Sequence, residues 1–161
     1  MKKKFFKIFN KHFDYKFTCL TAYTSSFAKI LDGKVDFILI GDSFGSSLYG
    51  MKNTQSVTLE MMKRHGLAVT KYIKKSITII DMPFKTYDNK RQALRNSKEL
   101  LNYTKAKLLK LEIDKKKIDI VKYLSIKKIN IVAHIGVTPQ KFKDFKKIKV
   151  VGKKLKERSK L

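Results

Sequence analysis

The sequence has one cysteine, two prolines and no tryptophan in 161 residues. A single Cys19 excludes a disulfide scaffold and a cysteine-ligated zinc site. Two prolines and seven glycines exclude a collagen-like or low-complexity chain. No apolar run approaches the roughly 18 residues of a membrane-spanning helix. Acids are scarce as well: 13 Asp and Glu stand against 38 Lys and Arg, a net charge of +25. Only Arg64, Arg91, Arg95 and Arg158 of those cations are arginine, whereas bidentate recognition of phosphates and bases favours Arg. The lysines are also spread along the whole chain. A solvated, lysine-rich surface is therefore expected rather than a specific nucleic-acid interface. Nonspecific, salt-sensitive adhesion to polyanions follows from the charge alone.

What is present is a chain 43% hydrophobic and 11% aromatic, enough to bury one sizeable core. The basic segment 1–16 carries Phe5, Phe6, Ile8, Phe9 and Phe13, interrupted by Lys7 and Lys11. It lacks the unbroken apolar stretch and small-residue cleavage site of a secretory signal. A short amphipathic helix packed on the domain of a cytoplasmic protein is expected, with no membrane partner. His12 and His65 are expected at the surface, and Cys19 inside a strand as a buried apolar residue.

Short β-like runs alternate with longer helical ones. Strands are expected over 17–23, 35–40, 76–80, 108–113 and 129–135. Helices are expected over 25–31 (capped by Ser25 or Ser26), from about 58, over 89–105 and over 117–124. The helix from 58 repeats Leu59, Met62, Gly66, Val69 and Ile73 on one face. A long loop is expected over 43–57 and a polar tail over 153–161. Five strand–helix units argue for a parallel sheet with crossover helices, an α/β fold. An open doubly wound sheet and a barrel both remain. The glycine fingerprints of dinucleotide and P-loop sites are missing.

Acids stand where the strands end: Asp42 after the second, Asp81 after the third, Glu112 on the fourth, with His134 on the fifth. Ligands bind at this edge in parallel α/β folds. Strand parity puts Lys110 and Glu112 on one face and Leu109 and Leu111 on the other. A polar face backed by an apolar, helix-covered one suits a barrel. One such acid would be an ordinary cap or loop residue. Three on successive strands repel one another unless a cation stands between them, and an oxygen-only set suits Mg²⁺ or Mn²⁺. Lys110 could balance Glu112 or bind an anionic substrate.

Thr21-Ala22-Tyr23, Ser26-Phe27-Ala28-Lys29, Gly41-Asp42-Ser43 with Gly45, and Asp81-Met82-Pro83-Phe84 occur in order. Lys110-Leu111-Glu112, His134-Ile135-Gly136-Val137-Thr138-Pro139-Gln140 and Val150-Val151-Gly152 continue the series. Together they resemble the N-terminal part of the ketopantoate hydroxymethyltransferase family, over about 17–152. The resemblance implies a TIM (β/α)₈ barrel, of which this chain would supply about the first five β/α units. It implies transfer of a hydroxymethyl group from 5,10-methylenetetrahydrofolate to 3-methyl-2-oxobutanoate, giving ketopantoate on the path to pantothenate. It makes Asp42, Asp81 and Glu112 the metal-site acids, with Mg²⁺ or another divalent cation. It assigns Asp42, Ser43, Asp81 and Lys110 to the oxo acid and His134 to the active-site wall. A homo-oligomer is implied, with small-molecule partners, a 2-oxo acid and a folate.

Two positions depart from the family pattern: Thr24 stands where an acid is usual, and Ile113-Asp114 replaces a small turn. The family's general base falls beyond Leu161, so no residue here takes that role. A noncatalytic remnant or half of a split enzyme is the alternative expectation, and a basic nucleic-acid-binding protein a more distant one.

Overall fold

A computed structural model describes residues 16–159. All of the amphipathic segment except Lys16, and His12 with it, lies outside the described residues. Five strands form one parallel sheet: β1 (Cys19–Thr21), β2 (Phe37–Ile40), β3 (Ile77–Asp81), β4 (Leu108–Glu112) and β5 (Ile131–His134). They lie in chain order across the sheet. A doubly wound sheet reverses its strand order at a switch point, and none occurs among the described strands. The winding is consistent with part of a TIM-barrel-like domain.

The four expected helices occur in order, with two more between and after them. They are α1 (Ser25–Leu31), α2 (Phe44–Tyr49), α3 (Leu59–Thr70), α4 (Lys90–Thr104), α5 (Ile118–Ile126) and a last turn, α6 (Leu155–Arg158). Side-chain caps start three of them. Thr24 accepts from Phe27 N, Thr58 from Met61 N and Asn89 from Gln92 N, each satisfying a donor the helix leaves open. The cap of α1 is thus Thr24, not Ser25 or Ser26; only its extended backbone points the hydroxyl at the first turn.

Alternation of side chains divides the sheet into two faces. Ile38, Ile40, Ile80, Leu109 and Leu111 meet Ala28, Met62, Val69, Ala93, Leu100 and Leu124 of the helices. On the opposite face, Phe37, Ile79 and Leu108 form a small second cluster. Further along that same face come Asp81, Lys110, Glu112 and His134. The face therefore runs from an apolar layer to a polar one at the strands' C-terminal ends. The expected parity of Lys110 and Glu112 against Leu109 and Leu111 is what the structure contains.

Three expectations need correction. Strand β1 is shorter than 17–23, because only Cys19, Leu20 and Thr21 pair with β2. Thr18 instead uses its N–H and hydroxyl to bond the Asp36 carboxylate. Cys19 is exposed, not buried, and Leu20 is 51% exposed; β1 is an edge strand with no further strand beside it among the described residues. The stretch 43–57 is not an open loop. It holds α2, ended by Gly50 in the left-handed region (φ 64°), and a 3₁₀ turn over Thr54–Ser56. Buried Phe44 and Val57 pin it to the core. The tail 153–161 contains α6, whose Glu157 carboxylate accepts from the N–H groups of Gly152 and Lys153.

Gly66 lets α3 lie close on the sheet. A Cβ there would stand 2.6 Å from both Ile80 Cδ1 and Thr104 Cγ2. Gly66→Ala would gain about 1 kcal/mol of helix propensity, but overpacking typically costs about 1–3 kcal/mol. Thr104 cannot swing aside without breaking its hydroxyl bond to Leu100 O. A net loss of up to about 2 kcal/mol is expected, read as a lower urea midpoint at unchanged slope. A midpoint at or above that of the unsubstituted chain would mean that the helix moves freely.

Candidate active site

Five of the expected site residues converge at the C-terminal edge of the sheet. Asp42 follows β2 and donates its N–H to Asp81 Oδ2 at 3.2 Å, tying the ends of β2 and β3 together. Lys110, directly opposite Asp81 in the β3–β4 register, donates its ammonium to Asp81 Oδ1 at 2.7 Å. Its partner is thus Asp81 rather than Glu112, because cross-strand neighbours meet where same-strand residues two apart run parallel. Glu112 stands opposite His134 in the β4–β5 register, with His134 Nδ1 3.6 Å from Oε1. Asp42, Asp81 and Glu112 are 6%, 4% and 6% exposed.

Such burial acts strongly on charge. Desolvation, then the negative charge of Asp81, pushes Asp42 up to about 7. Desolvation likewise pushes Glu112 up to about 7. Asp81 is raised by burial against the pull of the Lys110 ammonium. His134 is lowered by burial and by Lys110, so its imidazole is neutral at pH 7. Among the described residues, the one ammonium paired with any of these acids is that of Lys110, which meets Asp81.

Ser43 lies beside Asp42 but turns its hydroxyl to Tyr23, with Oγ 2.6 Å from the phenol oxygen. Two further residues join the cluster without having been marked as site residues. Gln140, in the 3₁₀ turn Pro139–Lys141, donates from Nε2 to Asp42 Oδ2 at 2.7 Å and from its backbone N–H to Glu112 Oε2 at 3.0 Å. Buried Tyr87 donates to Gln140 Oε1 at 2.6 Å. Gln140 ends the segment His134–Gln140 that resembles the family, but nothing local to that segment shows that its amide reaches Asp42. Nothing in the sequence marks Tyr87.

His65 is half-buried, not at the surface. Its ring stacks on Phe44 at 4.0 Å, and its nitrogens meet Tyr23 O and the Tyr49 hydroxyl. It fastens α2 and the chain after β1 to α3. Both departures from the family pattern have local work: Thr24 caps α1, and Asp114 caps the turn Lys115–Lys117 while pairing with Lys141 at 3.0 Å.

Among the described residues, no three Asp, Glu, His or Cys side chains form a ready cage for an ion. The donor chemistry nevertheless fits a hard divalent cation. Asp42 Oδ1 and Glu112 Oε1 take no hydrogen bond from the described residues, and buried His134 Nδ1 has no bonding partner. Mg²⁺ commonly binds through one or two carboxylates and completes its shell with water and substrate oxygens.

The family model described as ketopantoate hydroxymethyltransferase matches residues 3–161. The chain belongs to that family. Among relatives of the ketopantoate hydroxymethyltransferase family, one from Pelagibacter ubique (strain HTCC1062) is 42% identical over 158 residues, covering 98% of this chain and 60% of the relative. One from Aliarcobacter butzleri (strain RM4018) is 42% identical over 147 residues, 91% of this chain and 55% of the relative. One from Anaplasma marginale (strain St. Maries) is 41% identical over 138 residues, 86% of this chain and 50% of the relative. All three are named 3-methyl-2-oxobutanoate hydroxymethyltransferase. The chain thus spans about half to three-fifths of the length of these relatives. Among the described residues, no helix is long and apolar enough to cross a membrane.

Proposed function

We propose that this chain supplies the oxo-acid and cation side of a hydroxymethyl transfer from 5,10-methylenetetrahydrofolate to 3-methyl-2-oxobutanoate, giving ketopantoate. The observation that carries this reading is the buried cluster of Asp42, Asp81 and Glu112, with the Lys110 ammonium on Asp81, at the ligand-binding edge of a parallel sheet. Asp42, Asp81 and Glu112 would hold a divalent cation, Mg²⁺ by the preference of oxygen donors. When bound, the cation withdraws electrons from the keto group and makes the neighbouring C3–H acidic.

The chain's own residues do the rest of the positioning. Lys110 faces the polar layer and can offer its charge to the substrate carboxylate. Ser43 can donate from its backbone N–H, or from its hydroxyl once Tyr23 releases it. Neutral His134 walls the pocket on the β5 side. The packed stretch from Phe44 to Val57 keeps bulk water from the β2 side. In the overall reaction the C3–H bond breaks and a C3–CH₂ bond forms. Water supplies the hydroxyl, and tetrahydrofolate leaves. Removal of the C3 proton is assigned to none of the described residues. The same reading makes the sheet part of a (β/α)₈ barrel in a cytoplasmic homo-oligomer.

Titration calorimetry tests the proposal. The full chain is expected to bind 3-methyl-2-oxobutanoate only when Mg²⁺ is present, and Asp81→Ala to abolish that binding. Proton exchange at C3 in D₂O then reads the next step. Binding with no exchange would confine the chain to holding the substrate, as a remnant or split half would. Binding indifferent to both Mg²⁺ and Asp81→Ala, or no binding at all, would sink the assignment.

A further inference from the structure

We infer that Gln140, oriented by Tyr87, is the positioning residue that sets the carboxylates of Asp42 and Glu112 for a divalent cation. The inference rests on the cation reading above and adds to it the group that holds the acids in place.

The hydrogen bonds allow one orientation of the Gln140 amide. Tyr87 accepts the N–H of Glu112 at 3.3 Å, so its own proton is free to point at Gln140 Oε1, 2.6 Å away. A longer contact from the same hydroxyl to Glu112 O, at 3.4 Å, competes poorly. With Oε1 accepting, Nε2 faces Asp42 Oδ2 at 2.7 Å and Met82 O at 2.9 Å. Both are acceptors, and they use both amide hydrogens. A flipped amide would set oxygen against two acceptors and hydrogens against a donor. The backbone N–H of the same residue donates to Glu112 Oε2. One residue therefore holds acids from the ends of β2 and β4.

Its surroundings fix it firmly. Gln140 is buried and Tyr87 fully so. Gln55 Nε2 bonds Gln140 O at 2.8 Å, and Lys117 lies over the Tyr87 ring at 3.9 Å. The hydrogen bonds occupy one oxygen of each carboxylate and leave Asp42 Oδ1 and Glu112 Oε1 for other ligands. An amide suits this task because it donates without charge. A Lys or Arg here would compete with a cation, and a Glu would add a fourth negative charge. Groups that orient metal ligands are typically worth roughly 10- to 100-fold in metal affinity.

Mn²⁺ binding to the full chain, followed by electron paramagnetic resonance, tests the inference without any turnover. Gln140→Met keeps the length and removes the donor; it is expected to weaken Mn²⁺ binding roughly 10- to 100-fold. Tyr87→Phe keeps the ring and is expected to weaken it by a smaller factor. Because Tyr87 acts through the amide, Tyr87→Phe should change the affinity little further in the Gln140→Met background. A purely structural role would give the same factor in both backgrounds, and that result would overturn the inference. So would wild-type Mn²⁺ affinity in Gln140→Met. If Gln140→Met fails to fold, Tyr87→Phe alone decides, and an unchanged affinity refutes the assignment. Absence of Mn²⁺ binding by the unsubstituted chain would instead overturn the cation reading and this inference together.

Discussion

Replacing Lys110 by methionine is expected to destabilise the cation-free chain by about 3–5 kcal/mol at pH 7–8, the usual cost of breaking a buried ion pair from one side. Lys110 bonds Asp81 at 2.7 Å, and Asp81 is 4% exposed. Methionine fills the stem's volume but leaves Asp81, Asp42 and Glu112 without the ammonium. Their mutual repulsion then has no local counter-charge, and desolvation cannot be relieved by water. The variant should recover as pH falls, because protonating the acids removes the uncompensated charge. Millimolar Mg²⁺ should also restore part of the loss if the cluster takes a cation. Urea unfolding in the presence of a chelator, at pH 5 and at pH 8, measures the effect. A loss below about 1 kcal/mol at pH 8 would place the pair among solvent-screened ones and remove the electrostatic basis of the site.

Much of this cluster was legible in the chain because strand periodicity is rigid. Once β4 is placed, Lys110 and Glu112 must share a face, and Asp42 and Asp81 must stand at neighbouring strand ends. Which acid Lys110 meets was not legible. That depends on the β3–β4 register, which aligns Lys110 with Asp81. Gln140 escaped for a related reason. It lies in a 3₁₀ turn after β5 and reaches back across the sheet to Asp42, a return that no local pattern encodes. Phe44 and Leu48 share one side of a short helix ended by Gly50, but six residues give too little periodicity to separate α2 from a loop. Cys19 is expected inside and found exposed, because β-propensity says nothing about whether a strand lies at an edge. His65 is expected at the surface, but its stacking on Phe44 depends on how 43–57 folds back.

In a chelator, the unsubstituted chain is expected to lose stability as pH rises from about 4 to about 7. Asp42 and Glu112 titrate near 7 in the folded chain, against 3.8 and 4.5 as their ordinary values. Between those limits the folded state holds protons that the unfolded chain has released. Stability is fully present below the unfolded values and disappears as pH climbs through the folded ones. Each group contributes a slope of about 1.4 kcal/mol per pH unit inside its window. Other groups oppose this at the two ends. Asp114 is lowered by its bond from Lys141, and Asp32, despite some burial, by the N–H groups of Ser76, Lys74 and Lys75. Both destabilise the fold as pH drops through their folded values, so stability should peak near pH 4. His134, lowered by burial, gains its contribution as pH rises through the ordinary histidine value and flattens the curve there. A divalent cation bound by Asp42, Asp81 and Glu112 displaces the protons, so saturating Mg²⁺ should abolish most of the fall between pH 5 and 7. Urea midpoints across pH 4–8, with chelator and with Mg²⁺, separate the cases. A midpoint rising from pH 5 to 7 in the chelator would mean that the acids are already ionised. Water would then have to reach the cluster, and its affinity for a cation would no longer follow from burial.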